Sequence, residues 1–456
     1  MEKILILQVM APTSDGEIFA RPVSWEEAGD EPIVYIEHDK FTGLLSYGDR
    51  ILTRIKPVNS NNFDYVGKII KKIEDNPQTK LGIFQITPNG PRVKSIDKSG
   101  KDWLVELDKG VVIEDGELVE FRKIDSGRRI RSEKVRVSER LGDPSAPKSV
   151  SLIAIHQHKI PNIFPEDVLL QSKKASFLQN KKWDDYSHVP FVTIDPKDAR
   201  DHDDACYAKP DDDPKNIGGH LIWVAIADVA HFVRSGDAID NEARHRGNST
   251  YFPDRVVPML PDNLSGNLCS LHEGEKRACI VVKIKIDSVG NKISHKFTRA
   301  VIQSWASLEY GEVQEVIDKG KGKPKVLDLV NTVIKPLYDA YSCLKISRKA
   351  RSPLDLNLPE RKIEIDEKGI VKDVRFKERL EAHKLIEEFM ILANVCAAET
   401  LSYKKTPTIF RVHEEPDKEK IEALRKTAVS VGLKLSKGQN IKASHINELI
   451  AQAESA

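Results

Sequence analysis

The sequence predicts a multidomain chain in which small all-β barrels of the OB type precede a mixed α/β domain. Three observations carry this expectation. Short β-rich runs separated by turn clusters fill residues 1–144. Near Val192 the pattern changes to buried strands mixed with apolar residues at helical spacing. The 456 residues also leave room for about three domains of roughly 150 residues each. Hydrophobic residues make up 40% and charged residues 31%, the balance of an ordinary globular chain rather than a disordered or fibrous one. The net charge of +1 neither announces nor excludes a nucleic-acid partner, because basic residues can still cluster locally.

The first predicted domain, residues 1–76, opens on Ile4 to Leu7. That apolar run is too short for a signal sequence and reads as a strand. The second, 77–144, contains Leu81–Ile86 and Trp103–Leu107, separated by turns at Asn89-Gly90-Pro91 and Lys98-Ser99-Gly100. Strands this short and regular suit partly open OB-type barrels.

A basic strip follows. Between 120 and 140 there are eight basic residues, including Arg128, Arg129 and Arg131, against four acidic ones. Such a strip is either a solvated edge strand protected by charge or a surface for RNA phosphates. Residues 145–189, with Pro144, Pro147, Pro161 and Pro165 in or beside them, read as a connector.

From 190 to 456 the expected domain is mixed α/β. Leu221–Ala227 is a buried strand. Leu327, Val330, Ile334, Leu337, Tyr341 and Leu344 recur at helical spacing, and a second helix covers about 383–402. A last short helix, with Ser444 as its N-cap, turns Ile446, Leu449 and Ile450 to one side, and that face needs a partner. The five cysteines show no CxxC spacing, which argues against zinc and for reduced thiols in the cytoplasm. No stretch approaches the roughly 20 apolar residues of a membrane helix, so no membrane partner is expected.

The segment Thr193–Ala205 carries the chemistry. Asp195, Asp198, Asp201, Asp203 and Asp204 lie within ten residues, and both flanks are apolar. Carboxylate oxygens suit hard cations, Mg²⁺ or alternatively Mn²⁺. In an extended stretch Asp201 and Asp203 project to one side and Asp204 to the other. A turn that returns Asp195 would let three or four carboxylates converge. The bland alternative is a solvated acidic turn, as expected for Asp211-Asp212-Asp213, which has prolines and polar residues around it. An EF-hand fails because its required glycine position holds Cys206. His202-Asp203 is reminiscent of metal phosphohydrolases, but the sequence shows no helical histidine to partner it.

The run TIDPKDARDHDDA resembles the catalytic loop of the ribonuclease R/ribonuclease II (RNB) exoribonucleases, with details nearest the bacterial ribonuclease R branch. The likeness continues through LIWVAIADVAHFV, NSTYFPDRVVPMLPDNLSGNLCSL, SPLDLNLPERKIEID, AHKLIEEFMILANVCAAE and PTIFRVHEEP, spanning about 190–416. The resemblance implies cold-shock-like barrels followed by an RNB-type catalytic domain. It implies Mg²⁺-dependent 3′-to-5′ hydrolysis of single-stranded RNA to 5′-mononucleotides. Asp195, Asp201, Asp203 and Asp204 would be the metal and catalytic set, with Asp203 the most critical for the chemical step, and Tyr251 would stack on RNA near the scissile end.

The sequence departs from the family pattern in two places. An aromatic wedge expected near Asp355 is missing. So is a Ser-Pro-Ile-Arg-Arg-Tyr-like segment, since the adjacent Arg128 and Arg129 are followed by Ile130. Glu387, Glu388, His413 and Glu414 are expected to be structural. The expectation is therefore a catalytic domain lacking its C-terminal part and a chain nearly inactive alone, otherwise monomeric. The alternatives are an RNA-binding remnant without catalysis, one half of a split enzyme completed by a separately encoded C-terminal fragment, or a poorly folding product.

Overall fold

In the first 142 residues, strand after strand alternates inward apolar with outward polar side chains, and closure into barrels is how such strands bury one face without leaving an edge. The structure is a computed structural model. It describes residues 3–10, 17–23, 32–37, 45, 50–58, 63–73, 80–96, 102–107, 112–124, 134–177 and 182–455, except 355, 357, 359, 367–369, 413, 437, 439 and 440 within the last span. The chain divides into two units, 1–159 and 160–456.

The first unit holds two closed five-stranded barrels, the architecture expected of OB-type domains. β1 (Lys3–Val9), β2 (Phe19–Pro22), β3 (Val34–Ile36), β4 (Arg50–Pro57) and β5 (Tyr65–Ile73) close around Leu7, Val34, Ile51 and Ile55. β6 (Lys80–Thr87), β7 (Gly90–Ser95), β8 (Asp102–Val105), β9 (Leu118–Lys123) and β10 (Lys134–Gly142) close around Phe84, Val93, Trp103 and Phe121. Helix α1 (Pro147–Gln157) follows with proline in its first turn, where the missing N–H costs nothing.

The basic strip departs from the edge strand expected of it. Arg122, Lys123, Lys134, Arg136 and Arg140 sit on β9 and β10, which pair with each other while β10 also pairs with β8, so the strip is not a sheet edge. Arg140 is bound to Glu117 at 2.9 Å. Arg128, Arg129 and Arg131 lie outside the described residues.

The second unit begins with α2 (Glu166–Lys174). Its sheet runs in the order β11 (Asp184–Asp185), β18 (Lys292–Gln303), β17 (Lys276–Ile286), β14 (His220–Ala227), β13 (Asp204–Pro210), β12 (Val192–Asp195), β19 (Ala306–Glu309). Between these strands come α3 (Val229–Phe232), α4 (Ala238–Arg246), and the short pair β15 (Thr250–Tyr251) and β16 (Val256–Val257). After β19 follow α5 (Tyr310–Lys319), α6 (Pro324–Asp328), α7 (Lys335–Arg351), the hairpin β20 (Arg361–Ile365)–β21 (Val371–Phe376), α8 (Glu381–Tyr403), α9 (Lys418–Ser430) and α10 (Ala443–Ser455). Among the described residues no helix is long and apolar enough to cross a membrane.

Apolar residues of α5, α7 and α8 cover one sheet face, while Trp223, Ala225, Val281 and Ile302 form a core on the other with Ile239 and Leu264. The helical spacing around 327–344 is realised in two helices joined by a wide π turn at Val330–Ile334. Pro336, in the first turn of α7, cannot donate to the preceding turn, and this accounts for the break. Gly290 has φ +81°, and a Cβ there would lie 2.3 Å from the Cys343 carbonyl oxygen, so only glycine lets the β17–β18 turn approach α7.

The apolar face of the last helix finds its partner within the chain: Leu449 packs with Ala428 and Leu435. The 211–213 segment is also more than a solvated loop. Lys285 reaches Asp211 at 2.9 Å and Asp213 at 2.7 Å, and this contact with the help of Asn216 holds the Asp211 carboxyl down at about 2. Phe389 on α8 is fully buried in the helical core. Phe389→Ala is expected to cost about 3–5 kcal/mol, read as a lower urea midpoint. A loss below about 1 kcal/mol would mean that this core collapses around the cavity.

Candidate active site

The aspartate cluster is built by a strand, a return loop and a second strand. β12 ends on Asp195 and β13 starts on Asp204, and the two pair antiparallel through Val192 and Cys206, so the loop between them brings its two ends side by side. Buried Ser270 holds the loop from beneath. Its Oγ accepts from the His202 N–H at 3.0 Å and donates to the Arg200 carbonyl at 3.2 Å. The Leu271 N–H donates to the His202 carbonyl at 2.9 Å, and the Ala227 N–H to that of Asp203 at 3.0 Å. The backbone that carries the acids is thus anchored to two neighbouring elements, which is what a preorganised site requires.

His202 was the residue without a visible partner, and the fold supplies one: its Nδ1 lies 2.7 Å from Asp195 Oδ2. The hydrogen bond to Asp195 raises the imidazole above its usual value, with the charges of Asp195, Asp201 and Asp203 adding to it and burial opposing. Asp204 behaves in the opposite way from a solvated carboxylate. Burial, then the negative charges of Asp195 and Asp203, push it up to about 7. Asp203 is also raised, by burial first and then by Asp201 and Asp195, although the residue as a whole remains solvent-accessible. Around these acids Tyr251, 66% exposed, donates from its hydroxyl to Asp201 Oδ2 at 3.4 Å. Tyr310 stacks on His383 at 4.0 Å, and its phenol is raised by burial and by the charges of Asp195 and Asp204.

Tyr251 therefore stands beside Asp201, while Asp203 is within electrostatic reach of Asp201 and Asp195, and Asp204 of Asp195 and Asp203. Their all-oxygen donor set has the chemistry of a hard divalent cation site. The upward shifts of Asp203 and Asp204, from burial first and neighbouring negative charge second, fit the same idea. In this geometry, however, no group of three or more His, Cys, Asp or Glu side chains is arranged to hold a metal ion, among the described residues. Asp195 already spends one oxygen on His202.

Glu388 is buried against Arg348 and, at 3.1 Å, Arg351, while Glu387 pairs with Arg379 at 2.6 Å, so both are structural ion pairs. Asp355 and His413 lie outside the described residues. Sequence reading missed Ser270, Tyr310, His383 and the His202–Asp195 pairing. Only the neighbouring His202-Asp203 hinted at the last of these, and the partner sits across a loop rather than one helical turn away.

Comparison with known proteins adds the context. The RNB domain model matches residues 183–456. Ribonuclease R of Vibrio parahaemolyticus is 31% identical over 436 residues, covering 93% of this chain and 50% of that protein. Ribonuclease R of Escherichia coli is 35% identical over 319 residues, covering 69% of this chain and 39% of that protein. The chain spans about half the length of the curated relatives it matches. Among solved structures, Mycoplasma genitalium RNase R in complex with double-stranded RNA superposes with a TM-score of 0.70 at 25% identity, covering 85% of this chain and 68% of that one. The apo form of the same protein gives 0.69 at 24% identity, covering 99% and 70%.

Proposed function

Because this chain belongs to the RNB-domain family of ribonuclease R, we propose that its aspartate cluster is the hydrolytic centre of a 3′-to-5′ exoribonuclease acting on single-stranded RNA and releasing 5′-mononucleotides. The observation that supports it is the convergence of acids where β12 and β13 pair: there Asp204, raised to about 7 by burial and then by Asp195 and Asp203, sits in a setting that suits a cation and a phosphodiester. Mg²⁺, or Mn²⁺ in its place, would be held by Asp195, Asp201, Asp203 and Asp204 and would supply charge neutralisation and an activated water when bound.

The protein groups do the positioning. His202, gripped by Asp195, keeps that carboxylate oriented and offsets part of the local negative charge. Ser270 and the backbone bonds to Ala227 and Leu271 keep Asp203 and His202 from moving apart. Tyr251 offers an exposed ring on which a terminal base can stack, tethered by its hydroxyl to Asp201. Tyr251→Ala is expected to weaken binding of short RNA about tenfold, measured by competition. Unchanged affinity would remove it from the site.

The free thiols of all five cysteines accord with a reducing compartment, and a cytoplasmic site of action belongs to the same proposal. The deciding experiment incubates 5′-labelled single-stranded RNA with excess protein and Mg²⁺, then repeats it with a chelator. A ladder shortening from the 3′ end only when metal is present supports the enzyme. RNA bound but never cut, with strong salt dependence and no effect of Mg²⁺, would favour a binding module. The closed barrels, with Arg122, Lys134 and Arg136 on paired strands, keep that reading alive.

A further inference from the structure

Asp204 stands at one end of a straight row across the sheet. It pairs with Ile226 on β14, Ile226 pairs with Ile280 on β17, and Ile280 with Arg299 on β18. Direct cross-strand partners point to the same face, so these four side chains share one side. Two residues further along, that face is core: Cys206, Val224 and Val282 are buried beneath the helices. In the row itself the cover has ended. Ile226 and Ile280 are each 37% exposed, and the Arg299 side chain is half exposed.

The row ends on aromatic rings. Asp184 of β11 pairs with Ala300, which brings the preceding residue, Trp183, level with Arg299. Trp183 meets His231 edge-on at 4.9 Å, and Phe177 and Phe232 flank the same imidazole. Burial, together with Arg299 and Arg234, keeps His231 below its usual value against the pull of Asp228, so it serves as a neutral ring. Arg299 is held in place by Asp228, which is only 1% exposed. Its Nε lies 2.9 Å from Oδ2 and its Nη2 donates to Oδ1 at 3.3 Å. This contact ties the guanidinium to Asp228 while half of the Arg299 side chain stays open to solvent.

We infer that this row is an RNA track leading away from the carboxylates, in which Ile226 and Ile280 form the floor, Arg299 takes a backbone phosphate, and Trp183 with His231 stacks a base. Four strand spacings of about 4.8 Å place Trp183 roughly 19 Å from Asp204, the span of a few nucleotides. The inference rests on the reading that the ligand is single-stranded RNA. It adds a specific subsite remote from the reacting bond, with charge for the backbone and a ring for the base, the combination that sequence-tolerant strand binding uses.

The test measures anisotropy of fluorescein-labelled oligo(A) of about 3 and about 12 nucleotides, below and within usual site sizes, with chelator present so that nothing is cut. Trp183→Ala should weaken the longer RNA about tenfold, and Trp183→Phe should restore most of it. Arg299→Gln should weaken it severalfold and lower the log–log salt slope by about one. The shorter RNA should bind all variants as it binds the parent.

Equal binding of the longer RNA by parent, Trp183→Ala and Arg299→Gln overturns the track, as does equal weakening of both lengths. Because Asp228 is buried, Arg299→Gln is read only alongside its thermal midpoint, and the Trp183 pair decides the matter if that variant unfolds. A parent that binds RNA through Trp183 without cutting it would sink the hydrolase and keep the track. A parent that cuts RNA with no dependence on Trp183 would do the reverse.

Discussion

Replacing Asp203 by Asn is expected to abolish metal-dependent shortening of RNA, with a fall on the order of 10²–10³-fold or more, as for other groups that stabilise charge in such sites. The substitution is nearly isosteric, and the Asp203 carbonyl still accepts from Ala227, so the loop should keep its place. What it removes is one negative charge from a cluster where Asp203 helps to raise Asp204. The same variant should therefore titrate Asp204 at lower pH than the parent does. Two readouts from one change separate chemistry from collapse: the rate falls while the folded protein keeps or gains thermal stability. Sites that hold like charges together pay in stability for function. A variant retaining more than about a tenth of the parental rate would remove Asp203 from the chemical step.

Raising the pH from about 5 to about 8 without divalent cations should lower the thermal midpoint, and Mg²⁺ should restore it most at the alkaline end. The sign follows from proton counts. Asp203 and Asp204 are raised in the folded state, Asp204 to about 7, so between the unfolded carboxylate range and that value the folded chain binds more protons than the unfolded one. Stability then falls as pH rises through this window. His202 has the same sign: its raised value stabilises the folded state at low pH, and that contribution is lost as pH climbs past it. A cation that replaces those protons should bind poorly at pH 5, where Asp204 keeps its proton, and well at pH 8. Asp204→Asn should flatten the profile and reduce the response to Mg²⁺. A midpoint indifferent to Mg²⁺ at pH 8 would count against metal binding by the cluster.

The candidate site was legible from residues alone where its signal was local. Five aspartates between apolar flanks mark a strand end with carboxylates beside core, whereas the alternation expected of Asp201, Asp203 and Asp204 does not apply, because the strand begins only at Asp204. Tyr251 came from a motif rather than from any physical signal, because an exposed tyrosine in a short strand looks like any other. The short alternating strands before residue 144 were equally readable, since period-two burial leaves a local trace.

Contacts between distant segments left no such trace. Nothing near His202 reveals that Asp195 folds back to its Nδ1, or that Ser270, 68 residues on, pins the loop that carries it. The acidic 211–213 segment looked like a solvated loop because its cation, Lys285, comes from another strand. The strip on β9 and β10 looked like an edge because closure is a property of five strands together. Composition and periodicity determined which surfaces must be buried and which residue types could do chemistry. Register and loop return decided which of them meet, because Coulomb and hydrogen-bond energies depend on angstroms between side chains whose separation along the chain says nothing about their separation in space.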